Sequence, residues 1–384
     1  MGLWPIMAIP PDNLLLGETD SMPMPDDRVY VVTDQGPATG IGTYADSVYR
    51  LLREELPIQV MYVGCSPLGT HPGWVPLPGA RMAEWPFQVV PALRHNYRRL
   101  REVVTPDAAV HFGGVWYEFL REFRRSVVTL HDYYPRRPRL VDALRPGDFL
   151  RDASSLWQYV VLPRHVRTAR ARIVPTRHVQ KCLSEGTSLS SQVIHHWVEP
   201  YRFHPREKDA ARQTLGLPRE GRLVLNVSGI TSNKDYATLA AVAAGLPPGY
   251  RFVKVGGGLT HVPRVLSLPR LSYETYPLVF NACDVYVHTS IEEGFGRPLL
   301  EAMSSGLPIV SARTEVSEEV LGRGALMVSP STGSAKEWVS KVEAVAQEDV
   351  RRRVLTLSES QLVQFSPTAA HSALISTYRE VYGW

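Results

Sequence analysis

The chain has 384 residues, 44% of them hydrophobic and 21% charged, and a formal net charge of +4. That length suits two or three units of ordinary size, each able to bury its own core, and the composition is ordinary for a globular protein. Three cysteines (Cys65, Cys182 and Cys283) lie far apart without metal or redox spacing, which argues against a disulfide scaffold and for a reducing compartment. No apolar run approaches the ~18 residues that a membrane-spanning helix needs, so we expect a cytoplasmic protein.

The opening MGLWPIMAIPPDNLLLG is broken by prolines and has no basic flank, so it does not read as a signal peptide. Residues 1–27 read as an irregular arm. RVYVVTD (Arg28–Asp34) is the first strand-like run, and Gly36-Pro-Ala-Thr-Gly40-Ile-Gly42 leads into the amphipathic helix TYADSVYRLLREEL. Small residues at that turn let backbone approach a phosphate or sugar closely. Gly40-x-Gly42-x-x-Ala45 also fits a dinucleotide fingerprint. Its glycines, however, come six residues after Asp34, and the next strand, PIQVMYVG (Pro57–Gly64), has no acidic residue at its end to bind a ribose diol. Further strand-like runs follow at Ala108–Phe112, Ser126–Asp132 and Ala171–Thr176. His131-Asp132 therefore closes a strand at the edge where open α/β sheets bind ligands, and an imidazole there can hydrogen-bond a hydroxyl or stabilise developing charge. The other eleven histidines, His195-His196 included, show no metal-ligand spacing.

From Arg94 to Lys181 there are 18 basic residues against 8 acidic ones, clustered at Arg98-Arg99-x-Arg101, Arg124-Arg125, Arg136-Arg137-x-Arg139 and Arg164-x-x-Arg167-x-x-Arg170. A solvated basic face, attraction to anionic lipid and attraction to an acidic acceptor all fit this excess. Nucleic acid fits poorly, because no binding motif accompanies the charge.

PYRFHPREKDA (Pro200–Ala210) is polar and proline-bearing and reads as a connection between domains. A second set of strands begins at RLVLNVSG (Arg222–Gly229) and continues with RFVKVGGG (Arg251–Gly258), DVYVHTS (Asp284–Ser290) and LPIVSA (Leu307–Ala312). Strands alternating with helices in both halves give an α/β doubly wound pattern with a cleft between two domains. After the strand at Asp284 comes EEGFGRPLLEA (Glu292–Ala302). Glu293 sits in the loop at the strand's carboxyl end, and Pro298 suits the first turn of the next helix. Glu301 then lies about one turn into that helix. One carboxylate can accept from sugar hydroxyls, the other from a ribose diol.

This segment resembles the signature of the retaining glycosyltransferases of family 4, which have the GT-B fold. The family pattern Ser-x-x-Glu-Gly-Phe-Gly-x-Pro-x-x-Glu-Ala is met by Ser290, Glu293, Gly294, Phe295, Gly296, Pro298, Glu301 and Ala302, and the likeness runs on through Gly306–Ala312 and Gly324–Pro330. It is strong over roughly residues 220–335 and diffuse but collinear elsewhere. The resemblance implies two Rossmann-like doubly wound domains facing a central cleft. These are an acceptor-side domain at residues 1–205 and a nucleotide-sugar domain at 206–364, with a last helix at 365–384 crossing back.

The implied reaction moves a sugar from a nucleotide diphosphate donor to a hydroxyl acceptor, a glycan or a lipid-linked group, with retention of configuration. Catalytic roles fall to Glu293 and His131. Donor contacts fall to Gly40, Gly42, Asp132, Gly229, Lys234, Gly294, Phe295, Gly296, Arg297, Leu300 and Glu301. In the implied diphosphate segment Gly229-Ile-Thr-Ser-Asn-Lys234, the family's usual Arg is missing; Ile230 or Asn233 stands in its place. No Asp-x-Asp pair occurs, so we expect no catalytic metal and no cofactor, with Lys234 and helix N-termini neutralising the leaving group. A nucleotide-sugar epimerase and a non-catalytic nucleotide-sugar binding protein remain alternatives. The basic face keeps peripheral association with the inner side of an anionic membrane open; nucleic acid is not an expected partner.

Overall fold

The computed structural model describes residues 28–33, 39–56, 59–64, 74–76, 98, 100–113, 117–133, 162–330 and 333–383. The proposed arm at 1–27, the start of the glycine turn at Gly36, Cys65 and the basic cluster at Arg136–Arg139 lie outside the described residues.

Thirteen strands among the described residues form two sheets. The first holds β1 (Arg28–Thr33), β2 (Gln59–Gly64), β3 (Trp74–Pro76), β4 (Ala109–Phe112), β5 (Arg125–Thr129), β6 (Ala171–Val174) and β7 (Gln192–Val193) in the order β3-β2-β1-β4-β5-β6-β7. The second holds β8 (Arg222–Val227), β9 (Tyr250–Val255), β10 (Val265–Leu268), β11 (Val285–His288), β12 (Ile309–Ala312) and β13 (Leu326–Val328) in the order β10-β9-β8-β11-β12-β13. Neighbouring strands pair in parallel in both sheets. Parallel sheets are covered on both faces, and Val29–Thr33, Ala109–Phe112 and Val285–His288 are accordingly buried at every position. Each order reverses once, between β1 and β4 and between β8 and β11, and those switch points are where such sheets bind ligands. The short edge strands β3, β7 and β10 were not foreseen; runs of two to four residues are too brief to show a period.

Local chemistry sets the elements that matter for the site. The helix Gly40–Glu55 is capped by Thr39, whose hydroxyl accepts from Gly42 N–H at 3.0 Å. It buries Tyr44, Val48, Leu51 and Leu52 against the first sheet. The helix Arg297–Ser304 starts from Gly296, which has φ +76° and a left-handed conformation that suits glycine. The expected connection at Pro200–Ala210 is helical at its end: Lys208–Thr214 forms a helix held by Lys208 and Arg212, 2.6 and 2.8 Å from the two Asp284 oxygens. The chain passes between cores just before it. Ile194 and Trp197 belong to the first sheet's core and Val198 and Phe203 to the second's.

The helix Pro367–Tyr382 packs on the first sheet. Ala370, Leu374, Tyr378 and Tyr382, spaced by four, are buried in the cluster that holds β1 and the first helix. Its ring oxygens reach farther. Tyr382 Oη donates to Val110 O at 3.0 Å, and Tyr378 Oη bonds His111 Nδ1 on β4. Leu374→Ala should therefore destabilise the first domain by about 2–5 kcal/mol, the range for a truncated core leucine. In urea unfolding followed by tryptophan fluorescence, the midpoint should fall; an unchanged midpoint would detach this helix from the first domain's core.

Candidate active site

A cleft of about 1040 Å³ opens between the two sheets, lined from both domains by loops at the carboxyl ends of strands. The first domain contributes the turn before the first helix (Thr39–Ile41) and His131-Asp132 beyond β5. The second contributes Gly229–Lys234 after β8 and Glu293–Arg297 after β11.

The two domains meet backbone to backbone at Gly294. A Cβ built there would lie 1.8 Å from the His131 carbonyl oxygen and 3.2 Å from Asp132 Cα, so the contact admits only glycine. Thr176 Oγ1 donates to the Gly294 carbonyl at 2.9 Å across the same seam. Farther out, Glu319 accepts from the Arg177 amide at 2.9 and 3.0 Å, a carboxylate set at the N-terminus of the helix Arg177–Thr187.

Glu293 is paired. Lys234 Nζ lies 2.5 Å from its Oε1, and His288 Nε2 lies 3.6 Å from the same oxygen. Burial pushes the carboxyl up, but the Lys234 and His288 side more than offsets it, leaving Glu293 below the usual glutamate range. The two loops that carry this pair are tied together by Asn233, whose side chain donates to Glu292 O at 2.8 Å, and by Thr289 Oγ1 donating to Lys234 O at 2.7 Å. Asn233, at one of the two places where the resembling family has its Arg, is thus a staple. Ile230, at the other, is exposed.

Glu301 is the second carboxylate. Tyr276 Oη donates to its Oε2 at 2.6 Å, and Arg297 Nε lies 3.9 Å from its Oε1. Burial raises its pKa despite the Arg297 charge and the Tyr276 bond. Beside it Arg202 stacks 3.6 Å above the Tyr273 ring and donates to Tyr273 O at 3.1 Å.

His131 is buried, and burial together with the His111 and Arg297 charges pushes its pKa down to about 3, against a small opposing effect of the Gly113 carbonyl. It is a neutral ring at pH 7. Its Nδ1 lies 3.3 Å from Nε2 of His196, which also lines the cleft.

The expected site residues Glu293, His131, Gly40, Asp132, Gly229, Lys234, Gly294, Phe295, Gly296, Arg297 and Glu301 all line this one cleft. Two others do not. Gly42 is buried in the first turn of its helix with its amide committed to the Thr39 cap, and Leu300 is wholly buried in the second domain's core. The structure adds His196, His288, Arg202, Tyr273 and Tyr276 to the lining. Behind the lining lies Lys254, a buried strand lysine whose Nζ donates to Ser228 O at 2.6 Å and Val255 O at 2.7 Å. Burial lowers the Lys254 pKa to about 8. Of the pair His195-His196, His195 bonds Pro175 O at 2.8 Å and lies off the cleft, while His196 lines it. Among the described residues no three His, Cys, Asp or Glu side chains are grouped to hold a metal ion.

Residues 207–356 match the family described as Glycosyl transferases group 1. D-inositol 3-phosphate glycosyltransferase from Mycobacterium leprae (strain Br4923) is 29% identical over 214 residues, 50% of this chain and 49% of that protein. The chain therefore spans about half the length of the curated relatives that it matches. Among solved structures, sucrose-phosphate synthase from Thermosynechococcus elongatus superposes with a TM-score of 0.74 at 17% identity, covering 93% of this chain and 99% of that one. Anabaena Alr3699/HepE in complex with UDP-glucose superposes with a TM-score of 0.69 at 17% identity, covering 92% and 99%. The fold is GT-B, two parallel-sheet α/β domains around a cleft.

The Lys234–Glu293 pair is open to test. Lys234→Met leaves Glu293 with no lysine and should cost roughly 3 kcal/mol, as expected when a mostly buried pair is broken on one side. Adding Glu293→Gln should restore at least half of that loss. Because Glu293 is held low, its stabilisation is complete above about pH 4.3 and lost as the pH falls further. Acidification should then penalise wild type more than the double variant. Additive single losses in a denaturant cycle would deny the coupling.

Proposed function

We propose that this chain is a retaining glycosyltransferase of family 4 that moves a sugar from a nucleotide diphosphate donor to a hydroxyl acceptor. The observation that carries the reading is the facing of Glu293, Lys234 and Glu301 from the second domain with His131 from the first across one cleft. Glu301 accepts from the ribose diol. Lys234 and the N–H groups at the start of the helix Arg297–Ser304 neutralise the diphosphate as it leaves. Glu293 and His131 face the transferred sugar, His131 as a neutral ring. The diphosphate departs on the face from which the acceptor arrives, a route that asks for no enzyme nucleophile and retains configuration. The sugar complex of the structural neighbour HepE names UDP-glucose as a first donor to try.

A glycan and a lipid-linked acceptor both suit the first domain. Arg98, Arg101, Arg164, Arg167 and Arg170 are exposed there and would support peripheral attachment to an anionic membrane. Among the described residues no helix is long and apolar enough to cross one.

Two substitutions divide binding from chemistry. Glu301→Ala should lose at least about tenfold in nucleotide diphosphate affinity, since a charged acceptor on a buried hydroxyl is worth ~1.5–3 kcal/mol. Glu293→Gln should keep that affinity and lose at least about tenfold in kcat. Calorimetry and release of nucleotide diphosphate read the two effects, and unaltered affinity in the first or wild-type turnover in the second would sink the assignment. An epimerase would turn over without an acceptor hydroxyl, and a binding protein would release no nucleotide diphosphate at all.

We also expect turnover to continue in EDTA. Loss on chelation with recovery on adding Mg²⁺ or Mn²⁺ would contradict neutralisation by Lys234 and amides.

A further inference from the structure

The proposed reaction uses His131 and leaves His196 without a task. His196 lies where the chain passes between the domains, and its ring is held on three sides. It sits 4.6 Å from the Tyr44 ring, 4.9 Å from Phe295 and 5.2 Å from His131, centroid to centroid. Its Nε2 faces His131 Nδ1 at 3.3 Å. Each ring then has one nitrogen left, His196 Nδ1 and His131 Nε2. Both are buried and have no hydrogen-bond partner among the described residues, and both residues line the cleft.

Two buried polar atoms without partners are costly unless something in the cleft satisfies them. Their chemistry is linked, because a neutral imidazole has one N–H and one lone pair. The bond between the two rings carries one proton, on His131 Nδ1 or on His196 Nε2. The ring that donates it keeps a lone pair on its other nitrogen, and the ring that accepts it keeps an N–H on its other nitrogen. Burial and the Arg297 charge keep both rings neutral.

We propose that His196 is a second sugar-binding residue, paired with His131 so that their two remaining nitrogens, His131 Nε2 and His196 Nδ1, offer one donor and one acceptor to hydroxyls of the transferred sugar. The proposal rests on the glycosyltransferase reading for the identity of the ligand. Its proton arrangement does not.

The test uses the full chain, with binding of UDP and UDP-glucose (and of the GDP and ADP counterparts) measured by calorimetry. His196→Phe keeps an aromatic ring against Tyr44 and Phe295 and removes both nitrogens. It should bind the free nucleotide within twofold of wild type while losing about tenfold in affinity for the sugar nucleotide. His196→Asn, whose side-chain amide stands near the position of Nδ1, should recover most of that loss, and it answers the question should His196→Phe fail to fold. Wild-type affinity of His196→Phe for the sugar nucleotide overturns the proposal. Nitrogen-15 spectra of the imidazoles, assigned by difference from His196→Phe and His131→Phe, should show one of the two nitrogens His131 Nε2 and His196 Nδ1 protonated and the other bare in the ligand-free protein. Both protonated or both bare overturns the proposal as well. If wild type binds no sugar nucleotide, the glycosyltransferase reading fails, and the spectra alone decide how the two rings share their protons.

Discussion

Everything in the cleft depends on how closely two backbones meet at Gly294. The His131 carbonyl oxygen occupies the place where a Cβ would be, 1.8 Å away, and the Gly294 carbonyl accepts from Thr176 on the far side of the seam. Thr176 is itself the cap of the helix Arg177–Thr187, accepting from Val179 N–H, and the Arg177 amide at that same helix start is taken by Glu319. Backbone-to-backbone packing leaves little slack, so the loops that carry Glu293 and His131 are held in place relative to each other, as the proposed roles of the two residues require. A glycine in the middle of the Glu-Gly-Phe-Gly segment therefore joins the domains as well as turning the chain.

Around that seam, buried charges come in pairs and seldom alone. Lys234 faces Glu293, Arg297 faces Glu301, and Arg212 with Lys208 faces Asp284. The last set, far from the cleft, ties the helix Lys208–Thr214 to the start of β11. The first two sit on the cleft wall, where each charge can be handed from its partner to a ligand. In the proposed reaction a donor phosphate reaching Lys234 has to share it with Glu293, and a ribose reaching Glu301 has to share that carboxylate with Tyr276. The free protein keeps these groups satisfied at a cost in binding.

The sequence was informative where chemistry and position coincide in one short segment. Glu293 and Glu301 stand eight residues apart across a strand, turn and helix whose limits were legible from proline, glycine and apolar spacing, and both line the cleft. Gly42 and Leu300 do not line the cleft, because neighbours of site residues need not face the site; one gives its amide to a helix cap and the other fills a core. His196, Arg202, Tyr273 and Tyr276 left no local signature. They come from the crossing between domains and from the loop after β10, and only the folded chain brings them beside Glu301 and His131. The last helix was readable as a helix, but its partner was not. Which core receives Leu374 and Tyr378 depends on contacts hundreds of residues distant in sequence.

The absent phosphate arginine has a structural counterpart. With Asn233 used to bind the Lys234 loop to the Glu292 loop, one ammonium faces the place where the proposed diphosphate would sit, and that ammonium is already shared with Glu293. Arg297 supplies a second cation on the same wall. Its Cδ lies 3.3 Å from where a Gly40 Cβ would be, so it reaches across to the first domain's turn. Because Arg297 opens the helix whose N–H groups point to the same region, its charge and the helix dipole act together. In the proposed reaction the leaving group is then held by an ammonium, a helix start and a guanidinium from the GFGR segment, whose stem passes close to Gly40 of the opposite domain.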